Sequence, residues 1–214
     1  MTFARILLVA VALLGALPAW AAGPQRKPLT PQDHADVQRV QDYLNSVTTL
    51  KARFLQIAPN GAAAEGDAFL SRPGKMRLQY DPPSPLLVVA DGRFLIVHDR
   101  QLGDPSWIPL DSTPAGILVR KDVRLEGADV TVTRVGHQPG VLTVSLVESS
   151  DPGAGELTLV FSEHPFELKQ WRVVDTQGQT TTVSLYEAQT GMRLDPKLFE
   201  FRDPKFSQPS NVGG

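Results

Sequence analysis

Residues 66–99 constrain the fold more than any other stretch, because four short runs follow one another there with turn residues at every break. The runs 68–71, 75–80, 86–90 and 93–98 are each of strand length, and Pro, Gly or Asp separates them. In 75–80 the alternation is strict: Met76, Leu78 and Tyr80 fall on one side, Lys75, Arg77 and Gln79 on the other. Such a segment belongs to an antiparallel sheet with one apolar face and one solvated face. Arg72, Pro73 and Gly74 set a cation on a stiff turn at the edge of the apolar face.

The same period of two begins at 50–57 and returns at 106–110, 130–135, 141–147, 156–161, 168–175 and 180–187, with a last short candidate at 198–201. Asn60-Gly61 and Asp175-Thr176-Gln177-Gly178 are typical of the turns between runs. Ahead of the strands, Thr30-Pro31-Gln32-Asp33 supplies a hydroxyl cap, a proline at the first helical position and an acid in the first turn. Val37, Val40, Leu44 and Val47 follow at helical spacing, with Asp33, His34, Asp36, Arg39 and Asp42 expected on the solvated side. Between strands, residues 111–121 (DSTPAGILVRK) break the alternation: Thr113 before Pro114 caps a helical turn, and Ala115, Ile117, Leu118 and Val119 make it almost wholly apolar. A segment so short and apolar must lie on an apolar surface or cover one.

These elements predict a mainly β fold: an incomplete, open antiparallel β-barrel of about eleven strands with an N-terminal helix and a short helical lid. One helix and one lid are too little to fill its concave side, so a residual cavity walled by hydrocarbon is expected. Alternation and lid position select Phe54, Met76, Leu78, Tyr80, Val88, Ile96, Ile117 and Leu118 as its lining.

With 214 residues, 42% hydrophobic and 21% charged, the chain is large enough for one substantial core. Residues 1–21 differ from the rest: Arg5 is the one charge, 6–17 are apolar and Ala19-Trp20-Ala21 offers the small residues of a cleavage site, so a cleaved signal peptide is expected. A polar tether (22–29), a single domain (30–204) and a flexible tail (205–214) complete the expected organisation. Lys and Arg number 21 against 23 Asp and Glu, which gives no footprint for nucleic acid or for a polybasic membrane contact. The absence of cysteine excludes thiol catalysis, thiolate metal sites and lipid attachment after the signal. Of the four histidines, His34, His98, His137 and His164, no two have metal-ligand spacing; His98 reads as a rim residue with a solvent partner. Neither a nucleophile elbow nor a phosphate loop is present, Gly153-Ala154-Gly155 reads as a turn, and Asp81 and Asp91 punctuate turns. No enzyme, metal or cofactor is expected.

Four motifs in order carry a resemblance: Gly66-x-x-x-Leu70-x-Arg72-Pro73-Gly74-x-Met76-Arg77-x-x-Tyr80; Val89-Ala90-Asp91-Gly92-Arg93; Thr113-Pro114 before an apolar segment; and Trp171-x-Val173-x-Asp175-x-x-Gly178-Gln179-Thr180. Together they resemble the periplasmic outer-membrane lipoprotein carrier (LolA-type) family over nearly the whole chain after Thr30. The resemblance implies a lid-capped open barrel that holds the acyl chains of lipoproteins, works as a monomer in the periplasm, takes cargo from an inner-membrane ABC transporter and delivers it to an outer-membrane receptor. It also implies that Arg72 fastens the closed lid through hydrogen bonds to lid backbone. Ala115 and Gly116 stand where the family often has bulkier apolar residues. The rival expectation is a carrier or sensor of another amphiphile, a glycolipid or free lipid, on the same fold.

Overall fold

The computed structural model describes residues 28–114 and 116–202; the expected signal peptide, most of the tether, Ala115 and the expected tail lie outside the described residues. Helix α1 (Pro31–Ser46) begins as its sequence predicts. Thr30 Oγ1 accepts from the Asp33 N–H (3.2 Å) while Asp33 Oδ2 accepts from the Thr30 N–H (2.8 Å), satisfying two backbone donors that a helix start leaves without partners. Val37, Val40 and Leu44 are buried along one stripe. Asp36, expected in solvent, is buried too, because it accepts from His137 Nε2 (2.9 Å) and Gln32 Nε2 (2.9 Å).

Eleven strands follow: β1 (Thr49–Ile57), β2 (Ala63–Ser71), β3 (Lys75–Tyr80), β4 (Leu86–Asp91), β5 (Phe94–Asp99), β6 (Ser106–Pro109), β7 (Val130–Gln138), β8 (Val141–Glu148), β9 (Glu156–Glu163), β10 (Phe166–Val174) and β11 (Thr180–Thr190). They form one antiparallel sheet in the order β6-β5-β4-β3-β2-β1-β11-β10-β9-β8-β7. Two meanders are thus joined through β1 and β11, and the outer strands β6 and β7 stay unpaired with each other, which leaves the barrel open. The expected strand at 198–201 is instead a 3-10 turn, Pro196–Phe199, followed by two extended residues. Asp195 starts that turn by accepting from the Lys197 N–H (2.9 Å), and Pro196 has no N–H to give to a ladder.

This topology creates the lid. Because β6 and β7 are opposite edges, the chain between them must travel from one side of the sheet to the other, and it does so across the concave face. Residues 110–129 carry the 3-10 turn Leu110–Ser112, the helix α2 (Gly116–Val119) and a loop in which Val123 and Leu125 are buried. Helix α1 grips that loop. Asn45 Nδ2 donates to Val123 O (3.0 Å), Asn45 Oδ1 accepts from the Val123 N–H (2.9 Å) and Gln41 Oε1 accepts from the Leu125 N–H (3.0 Å).

Register sorts the side chains. Ala52, Ala68, Leu78 and Val88 lie in one row across β1 to β4, and Leu50, Leu70, Met76 and Ala90 in the next; these rows face α1, α2 and the crossing loop in one continuous core. The convex face carries Arg53, Arg77, Val89 and Ile96, and part of it is covered by the C-terminal segment, where Arg77 Nη1 donates to Leu198 O (3.0 Å). The face expected to be solvated is therefore partly a second core.

Candidate functional site: the concave face and its lid

Six of the eight expected lining residues meet in the concave core: Phe54, Met76, Leu78, Tyr80, Ile117 and Leu118 are between 0 and 5% exposed. Val88 packs against that core at its margin. Ile96 does not belong with them. The β4–β5 register pairs Val89 with Ile96 and Val88 with Val97, so Ile96 faces the convex side, and Leu95 and Val97 take the concave positions. Both alternate sets of β5 are apolar, so period alone leaves the face of this strand undetermined.

The expected open cavity is closed in this state. The crossing loop adds Val123 and Leu125 to the lid, and the tight burial of the lining shows the concave face filled by the protein's own side chains. Polar neighbours of the core are few. Tyr80 meets Phe54 edge to face at 5.0 Å and donates its hydroxyl to Gln56 Oε1 (2.6 Å); burial pushes its phenol up to about 12. A cleft of about 330 Å³ remains at one end of the lid, lined among others by Pro73, Gly74, Gly92, Val119 and Arg120.

Polar bonds hold the lid helix at both of its ends. At its start, Thr113 Oγ1 donates to Leu110 O (2.9 Å) and accepts from the Gly116 N–H (3.2 Å). A Cβ at position 116 would lie 2.2 Å from Leu110 O, so the small residue there is what lets the lid close down on the preceding turn. At its end, the Gly74 N–H donates to Val119 O (2.7 Å), and Arg120 Nη2 donates to Glu148 Oε1 (2.5 Å), a carboxylate only 6% exposed. Gly74 holds φ at +77°, and a side chain there would strike Gly92 Cα at 2.8 Å.

Arg72 stands next to these contacts without taking part in them. Its N–H donates to Thr48 O (2.8 Å), while the side-chain atoms Nε and Nη1 are buried and have no hydrogen-bond partner among the described residues. The expected bond from this guanidinium to lid backbone is thus replaced by one from the backbone of Gly74, two residues on. Burial pushes the Arg72 guanidinium down to about 10, which leaves it charged at neutral pH. Arg53, on the convex face, shows the contrary arrangement: it pairs with Asp81 and Asp67 and holds the Asp81 carboxyl below the usual carboxylate range. His98 is buried rather than at a wet rim; its Nε2 donates to Gly103 O (3.1 Å) and its ring meets Phe201 at 5.4 Å.

An apolar concavity closed by a short apolar cover is suited to holding hydrocarbon. Comparison with known proteins gives that class a family. Residues 45–202 match the model of the outer membrane lipoprotein carrier protein LolA. The outer-membrane lipoprotein carrier protein of Methylococcus capsulatus is 30% identical over 197 residues, which span 88% of this chain and 90% of that one. Its namesake from Azotobacter vinelandii is 26% identical over 210 residues, 94% and 95% of the two chains. Among solved structures, a putative outer membrane lipoprotein-sorting protein domain from Vibrio parahaemolyticus superposes with a TM-score of 0.47 at 8% identity, covering 77% of this chain and 94% of that one. This chain belongs to the LolA family of outer-membrane lipoprotein carriers.

Proposed function

We propose that this protein is a non-enzymatic periplasmic carrier that lifts its lid, takes the acyl chains of a lipoprotein against the concave face, and ferries the lipoprotein toward the outer membrane. Residues 30–204 form the carrier domain, behind a cleaved signal peptide (1–21) and a tether (22–29) and ahead of a tail (205–214). It acts as a monomer, loaded by an inner-membrane ABC transporter and unloaded by an outer-membrane receptor. Phe54, Met76, Leu78, Tyr80 and Val88 form the wall that meets the chains, and Ile117 and Leu118 the underside of the lid.

The observation that carries this reading is the make-up of the cover. Gly116, Ile117, Leu118 and Val119 are all buried, yet the end of this helix is joined to the sheet by one backbone hydrogen bond and one ion pair. Magnitudes explain why a self-closing container suits the task. Three acyl chains of some sixteen carbons moved from water into hydrocarbon release about 40 kcal/mol at ~0.8 kcal/mol per methylene. Non-covalent affinities saturate near about 20 kcal/mol. A concavity that refills with its own lid when empty sets closure against binding, so cargo is shielded from water and still surrendered.

The test is Leu118→Glu, which sets a charge against hydrocarbon. Lipoprotein copurifying with the variant, measured by mass spectrometry of the acylated N-terminal peptide, should fall at least about tenfold at equal yield of folded carrier. Unchanged copurification would remove the lid from the binding site.

A further inference from the structure

We infer that Arg72 is the docking point for the ester carbonyl oxygens of the cargo, a polar subsite at the end of the apolar concavity; this rests on the carrier reading above. Position comes first. Ala68 and Leu70 of β2 face the concave core, and Arg72, two residues beyond Leu70, continues the alternation. The bond from its N–H to Thr48 O pins the backbone beside the junction of α1 and β1, and Gly74 ties the same turn to the end of α2.

Chemistry then narrows the ligand. Nε and Nη1 of Arg72 donate and cannot accept, and both are buried with no partner among the described residues. Leaving such donors unmade costs their full desolvation, so whatever enters with an acceptor gains what the empty carrier lacks. Other arginines buried or half-buried in this protein have acceptors: Arg77 bonds Leu198 O and Gln79 Oε1, and Arg120 bonds Glu148. Hydrocarbon cannot satisfy Arg72, whereas an acyl ester presents a carbonyl oxygen where the chain ends. The Nε and Nη1 hydrogens of a planar guanidinium diverge, so they suit two separate carbonyl oxygens, as in a diacylglyceryl group, better than the two oxygens of one carboxylate. The cleft at Pro73, Gly74 and Val119 opens beside this point and gives the peptide part of the cargo a way out.

The experiment compares three probes on the full mature chain: a fluorescent peptide whose N-terminal cysteine carries a dihexadecanoyl glyceryl thioether, the same peptide with two hexadecyl ethers, and hexadecanoate. Wild type should bind the diester about tenfold tighter than the diether. In Arg72→Met that ratio should fall to near one, and Arg72→Lys, which keeps a donor, should retain part of it. Equal affinities in wild type, or a preference that survives in Arg72→Met, would overturn the subsite while leaving the carrier reading in place. Competition by hexadecanoate as strong as by the diester would overturn the assignment to esters. Failure of wild type to bind either lipopeptide would sink the carrier reading itself. A melting curve for each variant establishes that loss of preference is not loss of fold.

Discussion

The concave face of the sheet is covered by the lid and the convex face in part by the C-terminal segment, and the two are closed in opposite manners. On the convex side Arg77 donates to Leu198 O of the C-terminal cover and to Gln79, and Arg53 lies among Asp81, Asp67 and Glu65. Phe199 and Ile96 are almost fully buried in this smaller core. On the concave side the apolar core is far larger, but two buried donors of Arg72 have no hydrogen-bond partner among the described residues. A face whose polar groups are all satisfied has nothing to gain by opening. The face with a deficit is the one that a ligand can complete.

The largest effect that would sharpen this contrast is in the convex core. Phe199→Ala should cost about 3–5 kcal/mol of unfolding free energy in a denaturant titration while leaving lipid binding per folded molecule unchanged. A comparable loss of binding would mean that the two faces act as one. Next is Arg72→Met, which should stabilise the empty protein at pH 7 by roughly 1–3 kcal/mol, because it removes two buried donors that have no partner among the described residues. The sign follows from linkage: folding lowers the Arg72 pKa from the usual guanidinium range to about 10, so the penalty is fully present below about 10 and fades as pH rises above it. Tyr80, pushed up to about 12, loses stability over the same range, and the difference between variant and wild type cancels it. A destabilised Arg72→Met would show that the guanidinium has a partner and that the deficit is absent. Smallest is Glu148→Gln, which should weaken the end of the lid by about 1–2 kcal/mol. Its signature is faster amide exchange confined to residues 116–125, and uniform protection would take Arg120 and Glu148 out of the closure.

Much of this was legible in the sequence because local rules and tertiary structure agree. The Thr30 cap, the alternation in 75–80 and the apolar break at 111–121 each became the element they predict. What escaped depends on contacts between distant residues. Asp36 looks solvated until His137 is brought to it from β7, and His98 looks exposed until Gly103 and Phe201 close around it. Period alone does not place Ile96, because β5 is apolar on both faces and burial of both faces erases the signal. Val123 and Leu125 sit in a stretch with no period, and their role follows from the β6-to-β7 crossing, which depends on the pairing of β1 with β11. The cation of Arg72 was visible at once. Its lack of partners is a property of the closed fold, which no turn motif encodes.

The open barrel also leaves the sheet's two outer strands at its edges. Two strand edges without a neighbour are templates for sheet growth from one molecule to the next. Here β6 is four residues long, preceded by Pro105 and ended by Pro109, which deny it backbone donors at both flanks. The β7 edge carries the well-exposed Arg134 and is tied to α1 through His137 and Asp36. Both outer strands are thus blunted against pairing from one molecule to the next.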